Sequence, residues 1–346
     1  MKIFLPFKKE LNPYLEEIIN NSIHTFTYES YKNYDPSYDI VNIHWPEALF
    51  DWEEPSVEEL EKLECFIKEW KKNSTLVYTK HDFQRNKGTT PNFIRLFQII
   101  EQNADVFIHL GEFSKNLYAI KYPGARHEVI HHPLYLKNFK VLEKEAARKE
   151  LQINDEDFVI IAPGTIRSYA ERDLLIKTFK SLFIKKKVLI CTNVHSEIRF
   201  DFPGRIKLKR IIDIKNKLVY QFRNKYLPPK YIFTYSTISK KELELKMSAA
   251  DLVFIPRIEI LNSGIVFLGL TFNKIVVGPA VGNIKEQLED LDLPVFDPKK
   301  RKSVIEALNK GINLSKQHNG YIAGKLEKYL PGTITKKTDA LFSELK

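Results

Sequence analysis

Cysteine is scarce in this chain of 346 residues, which contains only two. Cys65 and Cys191 lie far apart and form no metal-binding spacing, so we expect neither a structural disulfide nor a zinc site. Long apolar runs are also lacking, because no stretch approaches the ~20 consecutive apolar residues that a membrane-spanning helix needs. The apolar start, Met1–Pro6, is too short for a signal peptide. The sequence therefore predicts a folded, cytoplasmic protein whose first strand begins at residue 2.

Negative charge is the scarcer sign, since 44 Asp and Glu residues stand against 54 Lys and Arg residues, a net charge of +10 at pH 7. This excess indicates attraction to an anionic partner, such as a nucleic acid, an anionic membrane face or a phosphorylated substrate. The basic residues cluster at 185–187, 205–217 and 299–302, either as binding surfaces or as ordinary solvated charges. No helix-turn-helix, zinc-finger or RNP-like signature is present, so we expect no nucleic-acid partner. Peripheral contact with the inner face of an anionic membrane remains open.

Short apolar runs alternate with amphipathic stretches in two successive halves of the chain. Strands that alternate with helices indicate right-handed crossovers and a mostly parallel sheet. We therefore predict an α/β fold of two facing Rossmann-like doubly wound domains with an interdomain cleft. The domains cover residues 1–136 and 155–334, and the sequence leaves open which half carries a last helix, 335–346. The predicted strands are 2–5, 38–44, 75–79, 105–110, 128–131, 158–162, 187–192, 231–235, 251–256 and 274–278, and the other predicted helices open at 12 or cover 56–71, 90–102, 114–122, 142–150, 169–184, 214–226, 239–250, 263–272, 284–290 and 302–314.

In the N-terminal half, histidines lie at or just past three predicted strand ends: His44, His81 and the pair His131-His132. Ligands of an open parallel sheet bind outside the carboxyl ends of its strands. A neutral imidazole at that edge can take a proton or accept a hydrogen bond from a ligand hydroxyl. Each histidine can equally be a loop residue satisfied by its neighbours, and Trp45 is either a stacking platform or a packed corner.

The C-terminal half offers two candidate phosphate-binding segments. In the first, Gly164 lets the backbone approach a ligand closely, and Arg167 offers a fork for a diphosphate, with Arg172 at the start of the next helix. The second, Asn262-Ser263-Gly264, starts a helix after a buried strand. The unpaired N–H groups and the positive dipole end of such a helix can bind a diphosphate, unless the segment is a plain capped helix.

These segments resemble the GT-B glycosyltransferases, in particular the large retaining family that includes bacterial α-mannosyltransferases and relatives of sucrose and glycogen synthases. The resemblance extends over nearly the whole chain. Gly164–Arg167 resembles the family's loop whose basic residues hold the donor phosphates, and Thr79-Lys80-His81 resembles its Thr-x-His after an N-terminal strand. The donor-binding region of the family is similar to Ser239–Pro256 and to the run from Asn262 through Gly278, Gly282 and Glu286.

The resemblance implies an enzyme that moves a sugar from a nucleotide-diphosphate sugar, of the UDP or GDP type, to a glycan or polyprenyl-linked acceptor in polysaccharide biosynthesis. It also implies retention of the anomeric configuration and no metal or other cofactor, because arginines and a helix dipole can neutralise the leaving diphosphate. His81 and Glu259 are then the catalytic candidates. The donor-binding candidates are Gly164, Arg167, Arg172, Asn262, Ser263 and Gly264, together with Tyr235 and Ser236 for the base, and the acceptor-side candidates are His44, Trp45 and Glu47.

Two departures from the family pattern leave other functions open. The family carries two glutamates eight positions apart, and alignment on Gly264 puts Leu261 and Gly269 at those places. Glu259 can replace only the first. The glycine-rich N-terminal loop is also absent, since Pro6–Lys8 follows the first strand. The alternatives are a non-catalytic protein that binds a nucleotide sugar or a membrane, and an enzyme that hydrolyses or epimerises a sugar nucleotide without an acceptor.

Overall fold

The computed structural model describes residues 1–85, 88–194, 230–317 and 323–345, together with residue 218. Its strands are β1 (Lys2–Leu5), β2 (Thr25–Tyr28), β3 (Ile40–Ile43), β4 (Thr75–Lys80), β5 (Val106–His109), β6 (Arg126–Val129), β7 (Phe158–Ala162), β8 (Lys187–Cys191), β9 (Lys230–Phe233), β10 (Leu252–Phe254), β11 (Ile275–Pro279) and β12 (Val295–Phe296).

The helices of the described residues are α1 (Pro13–Ile19), α2 (Val57–Trp70), α3 (Pro91–Asn103), α4 (Glu112–Lys121), α5 (Lys144–Glu150), α6 (Tyr169–Ser181), α7 (Lys240–Ala249), α8 (Gly264–Thr271), α9 (Gly282–Glu289), α10 (Arg301–Gln317) and α11 (Pro331–Glu344). Short 3-10 helices lie at Tyr31–Asn33, Pro46–Phe50, Ala323–Lys325 and Glu327–Tyr329. Within the same residues, no helix has the length and apolar character needed to cross a membrane.

All ten predicted strands are present, and their bounds differ from the predicted ones by at most two residues. The sequence missed β2 and β12, which lie at the outer edges of their sheets. Neither has the continuous apolar run of a central strand, because no side chain of β2 is fully buried and β12 is only two residues long. The predicted helix 214–226 lies outside the described residues except for residue 218.

The chain divides into two compact units. Unit 1 comprises the described residues of Met1–Asn138, Ile260–Asn262 and Ala323–Lys346, and unit 2 those of Phe139–Glu259 and Ser263–Ile322. Residues 139–154, which lie between the two predicted domains, therefore belong to unit 2. The reason is Arg148 of α5, whose guanidinium donates to the Ala249 carbonyl at 3.1 Å and to the Asp251 carboxylate at 2.7 Å.

The last helix, α11, lies in unit 1, where it packs on α1. The Asp339 carboxylate accepts hydrogen bonds from the Ile23 backbone N–H at 3.1 Å and from the Ser22 hydroxyl, so it holds the chain that follows α1. The segment before α11 is also attached to unit 1, because the Leu134 N–H donates to the Tyr329 carbonyl at 2.9 Å. The sequence assigns residues 323–334 to the second domain, and the structure corrects this by placing them in unit 1.

Unit 1 contains a six-stranded parallel sheet, sheet 1, in the order β2-β1-β3-β4-β5-β6. A capping box at Ser56 and Glu59 starts α2. This helix and α3 bury their apolar stripes against the sheet, in a core that joins Trp70, Phe93 and Phe107, each at most 1% exposed. Burial of a large apolar side chain stabilises the fold by roughly 1.5–3 kcal/mol, so this core holds the strands in register.

Unit 2 contains a second six-stranded parallel sheet, sheet 2, in the order β12-β11-β10-β7-β8-β9. Numbered within the unit, this is the order 3-2-1-4-5-6 of Rossmann sheets. The first strand of the unit, β7, pairs with the fourth, β10, and the chain leaves these two strands in opposite directions. The crevice outside their carboxyl ends is the topological switch point, where such sheets bind ligands. The prediction of two Rossmann-like doubly wound domains is confirmed.

Gly311 allows α10 to lie close to sheet 2. A Cβ atom at this position would be 2.5 Å from Val277 Cγ2 and 2.9 Å from Leu252 Cδ1. Gly→Ala in a helix interior is normally stabilising, but here it overpacks the core. We expect Gly311→Ala to lower the free energy of unfolding by about 1–3 kcal/mol, measured by urea denaturation with circular dichroism.

Gly332→Ala is the matched control for this substitution. A Cβ atom at Gly332, in the first turn of α11, would meet no atom within 4 Å. We expect its stability to equal or slightly exceed that of the wild type. Unchanged or increased stability in Gly311→Ala would contradict the close approach of α10 to the sheet.

Candidate functional site

Two histidines meet at the carboxyl edge of sheet 1. His44 follows β3 and His81 follows β4, and these strands pair in parallel, so the two residues leave the sheet side by side. Both side chains are buried, and His44 Nδ1 lies 3.1 Å from His81 Nε2 in a hydrogen bond. The indole of Trp45 stacks on the His81 ring with centroids 4.4 Å apart. The structure thus brings together three of the residues that the sequence selected.

Tyr14 and His132 complete this group, which we call the histidine cluster (Tyr14, His44, Trp45, His81 and His132). The Tyr14 ring makes edge contacts with His81 and His132, each with centroids 4.9 Å apart. His132 Nδ1 donates to the Pro133 carbonyl at 2.8 Å, so its ring orientation is fixed. The sequence placed His132 among the residues that follow a strand but gave it no role, and it did not select Tyr14. His132 lies just past β6, and Tyr14 reaches the cluster because the loop after β1 leads into α1 beside β3.

Burial keeps these imidazoles neutral. It lowers the pKa of His44 to about 3 and that of His132 to about 4. Burial also lowers the pKa of His81 well below its usual value, and the neighbouring His44 and His132 add to the effect. At neutral pH the cluster therefore offers uncharged donors and acceptors. Among the described residues His44 Nε2 has no hydrogen-bond partner, so this buried atom is available to a ligand.

Glu47 lies in the 3-10 helix that follows the histidine cluster in sequence. It is buried, and its Oε2 atom has no hydrogen-bond partner among the described residues. Burial raises its pKa, with a further upward contribution from Asp82, while Arg85 and Lys80 act in the opposite direction. A buried carboxyl group of this kind can accept or donate a proton near the edge of sheet 1.

Two side chains hold the backbone at His81 and just after it, through the carbonyls of His81 and Phe83. Lys80 is fully buried, and its ammonium group donates to the Glu101 carboxylate at 2.6 Å and to the Phe83 carbonyl at 3.2 Å. The Asn262 amide donates to the His81 carbonyl at 2.7 Å. The sequence predicted that Asn262 contacts the donor, whereas the structure places it in unit 1 with its amide N–H group on this backbone. Lys80 and Asn262 therefore position His81.

In unit 2 the loop after β7 meets the start of α8 at the switch point. Gly164 has φ +84°, and a Cβ atom there would be 3.2 Å from Ile265 Cδ1 and 3.8 Å from Arg257 Nη2. Ser263 is the N-cap residue of α8, but its side chain makes no capping hydrogen bond. The first turn contains no acidic residue, so its backbone N–H groups and the helix dipole favour an anion.

Arg257 is a buried residue of this edge that the sequence analysis did not select. Its Nη1 atom donates to the Glu171 carboxylate at 2.6 Å, and the same oxygen accepts from the Arg167 backbone N–H at 2.8 Å. Burial lowers the pKa of Arg257, while Glu171 acts in the opposite direction. The ion pair ties the Gly164–Arg167 loop to the end of β10. The Arg167 side chain is exposed and that of Arg172 is half-buried.

The other donor-side candidates lie farther apart. Tyr235, half-buried, and Ser236, exposed, follow β9, which lies two strands from β7 in sheet 2. The Thr234 N–H donates to the Cys191 carbonyl at 3.1 Å, which ties this segment to the end of β8. Glu259 is exposed in the loop between β10 and α8.

Gly269 of α8 is the position that the resemblance aligns with a second glutamate. A Cβ atom at this position would be 2.5 Å from Val276 Cγ2 and 3.3 Å from Val253 Cγ2. The position faces sheet 2, so no side chain fits there without displacement of the helix. In the described residues, no group of three or more His, Cys, Asp or Glu side chains could hold a metal ion.

No protein-family model and no curated protein matches the sequence. Solved structures are similar over most of it. Anabaena HepE with UDP-glucose has a TM-score of 0.67 at 14% identity, with 99% of each chain covered. Sucrose-phosphate synthase from Thermosynechococcus elongatus has a TM-score of 0.63 at 15% identity, with 89% of this chain and 74% of that chain covered. A glycosyltransferase from Rickettsia africae has a TM-score of 0.63 at 10% identity, with 99% and 98% covered.

The chain has the GT-B fold. The fold that the resemblance implies is thereby confirmed over nearly the whole length of the chain. In this GT-B chain, unit 1 carries a neutral histidine cluster at the carboxyl edge of its sheet, and unit 2 carries arginines and an uncapped helix at the corresponding edge.

The buried histidines make the stability of unit 1 depend on pH. Burial lowers the pKa of His109 to about 3, as it does for His44, whereas an unfolded histidine titrates at about 6.5. The unfolded chain therefore binds more protons below this pH, and stability falls by about 1.4 kcal/mol per pH unit for each histidine. Because all the tryptophans (Trp45, Trp52 and Trp70) lie in unit 1, we expect the urea midpoint of tryptophan fluorescence to fall from pH 7 to pH 5.

His109→Gln should reduce the dependence of the unfolding free energy on pH by the contribution of one proton, because it removes a single buried titrating group. Glu47, whose pKa is raised, acts in the opposite direction but offsets at most one proton. A midpoint that does not change over this pH range would contradict the neutral, buried state of the cluster.

Proposed function

We propose that this protein is a glycosyltransferase that uses a nucleotide-diphosphate sugar as donor. The observation that carries the proposal is the meeting of the Gly164 loop, Arg257 and the uncapped start of α8 at the switch point of unit 2. HepE, which is similar over 99% of both chains, is known in complexes with UDP and with UDP-glucose. A UDP-forming trehalose-phosphate synthase is also similar in structure. Both support a donor of the UDP type.

In this proposal the diphosphate lies on the first turn of α8, where backbone N–H groups and the helix dipole attract it. Arg167 and Arg172 neutralise the charge that develops on the leaving diphosphate, so the step requires no metal ion. Arg257 is paired with Glu171 and positions the loop that carries Arg167. The base lies near Tyr235 and Ser236.

The transfer exchanges one carbon–oxygen bond for another. The acceptor hydroxyl oxygen bonds to the anomeric carbon, the bond from that carbon to the diphosphate oxygen breaks, and its electron pair leaves with the diphosphate. The hydroxyl proton passes to the leaving diphosphate. His81 is neutral and hydrogen-bonded, so it can orient sugar hydroxyls without a change of charge. We propose retention of configuration and a glycan or polyprenyl-linked acceptor in polysaccharide biosynthesis.

A non-catalytic nucleotide-sugar-binding protein is the second candidate function. It is favoured by Gly269, because α8 lies too close to sheet 2 for a ribose-binding glutamate at that position. Such a protein would bind the nucleotide without turnover, so binding and transfer must be measured separately.

A thermal-shift screen with UDP, GDP, CMP, ADP and TDP, with and without Mg²⁺, tests the donor site. A ligand at ~100 times its dissociation constant stabilises the folded state by roughly 2.7 kcal/mol, which gives a clear shift. We expect one uridine or guanosine diphosphate to stabilise the protein regardless of Mg²⁺. Arg167→Gln should weaken that nucleotide's binding by about tenfold, the effect of one charged hydrogen bond of ~1.5 kcal/mol.

Lys302→Gln is the matched control, because it also removes one exposed positive charge from unit 2. It should leave nucleotide affinity unchanged. If no nucleotide shifts the melting temperature, the start of α8 is not the donor site. If Arg167→Gln and the wild type bind the nucleotide with equal affinity, Arg167 is not part of that site.

His81→Asn tests the role of the histidine cluster in the transfer. The substitution removes an imidazole that hydrogen-bonds His44, so we expect turnover to fall by about 10²-fold or more while nucleotide affinity changes little. Single-turnover transfer and the thermal shift, measured on the same preparation, separate the two effects. Normal turnover in this variant would exclude His81 from the reaction.

A further inference from the structure

The outward face of α4 carries three apolar side chains in a row. Phe113, Leu117 and Ile120 recur at the i, i+4, i+7 spacing of one helical face, and they are 44%, 45% and 84% exposed. On the opposite side of the helix, Ser114 and Tyr118 are buried against unit 1. Single exposed apolar residues are ordinary, but three on one face form a contiguous patch. We call these three residues the α4 stripe.

The α4 stripe begins at the edge of sheet 1 that carries the histidine cluster. α4 follows the carboxyl end of β5, and the Phe113 ring makes an edge contact with Phe83, with centroids 6.5 Å apart. Phe83 lies two residues after His81, and its carbonyl accepts the hydrogen bond from Lys80. The stripe therefore extends from the candidate site along the outside of unit 1.

Two more exposed apolar side chains lie on loops at the same edge. Leu11, after β1, is 89% exposed, and Trp52, after β3, is 39% exposed. Hydrogen bonds connect these loops, because Trp52 Nε1 donates to the Glu10 carboxylate at 2.9 Å and Arg85 donates to the Trp52 carbonyl at 3.1 Å. Leu11 and Trp52 thus extend the apolar surface across the edge of sheet 1.

Basic groups flank the apolar surface. Lys121 lies beside Leu117 and Ile120 on α4 with half of its side chain exposed, although its ammonium group also contacts Glu101. Lys8 and Lys9 precede Leu11 and both are exposed, although the Lys8 ammonium group also pairs with the Asp51 carboxylate at 2.6 Å. An ammonium group beside exposed apolar side chains matches a lipid surface, where the apolar groups enter the interface and the charges meet anionic headgroups.

We propose that the α4 stripe, with Leu11 and Trp52, docks unit 1 on an anionic lipid bilayer. The bilayer would then supply a sugar acceptor on a lipid carrier. This part of the proposal rests on the proposed glycosyltransferase function. A second copy fits this surface less well, since two chains of net charge +10 repel each other. Three side chains on one short helix also provide much less than the ~800 Å² per partner of a stable protein interface.

Co-sedimentation with phosphatidylcholine vesicles, with and without phosphatidylglycerol, tests the docking surface. We expect the wild type to bind only the anionic vesicles, and added salt to weaken binding because it screens the headgroup charge. The double variant Leu117→Ser, Ile120→Ser should partition at least about tenfold more weakly, since buried aliphatic side chains contribute most of the apolar energy. Both positions are exposed, so the variant should fold.

Ile23→Ser and Phe183→Ser are the matched controls, because these side chains are 80% and 104% exposed and lie outside the proposed surface. Both should bind vesicles like the wild type. Absence of vesicle binding by the wild type, equal binding by the double variant, or an equal loss in the controls would overturn the proposal. So would a wild-type dimer that the double variant dissociates in sedimentation velocity, because the stripe would then cover a second copy.

The nucleotide thermal shift separates this proposal from the proposed function. The double variant should keep the full shift, because the substitutions lie in unit 1 and the proposed nucleotide site lies in unit 2. Lost vesicle binding with an intact shift supports the docking surface. If the wild type binds vesicles but no nucleotide stabilises it, the proposed donor site is rejected and the proposed docking surface is retained.

Discussion

The parallel direction of every strand pair is the constraint on which the rest of this structure depends. In a parallel sheet each loop that follows a strand leaves at the same edge, so residues far apart in the chain meet there. His44 and His81 are brought within 3.1 Å in this way. In unit 2 the pairing of β7 with β10 brings Gly164 beside Ile265. Each candidate group for binding or chemistry is a consequence of strand order.

The two sheet edges differ in electrostatic character. The histidine cluster at the edge of sheet 1 is uncharged, because burial keeps its imidazoles neutral, and the buried Lys80 ammonium beside it is paired with Glu101. Loss of one partner of such a buried pair costs about 3–5 kcal/mol, so this pairing is strongly constrained. The edge of sheet 2 presents arginines and helix N–H groups. Neutral hydrogen-bonding groups suit hydroxyls, and positive groups suit phosphates.

The alternation of apolar runs was sufficient to predict ten of the twelve strands in the described residues, because central parallel strands are buried on both faces and leave a continuous apolar signal. The rule that ligands bind past strand ends selected His44, His81 and Gly164. It could not select Tyr14, which reaches the cluster only because β1 lies next to β3. The pairing of Arg257 with Glu171 depends on which strands are neighbours in the sheet. No local sequence pattern determines this strand order.

Unit 1 is built from three separate segments of the chain, with almost all of unit 2 between them. During synthesis its sheet emerges first, yet the face of α1 that α11 covers stays open until residues 331–344 follow. The equilibrium cost of such a long insertion is small, because loop-closure entropy grows only with the logarithm of length. The consequence is kinetic. The histidine cluster belongs to the unit whose synthesis begins first and whose last segment is synthesised last. A ribosome stalled in unit 2 would therefore carry a unit 1 whose α1 still exposes buried-type apolar side chains, a form prone to aggregation.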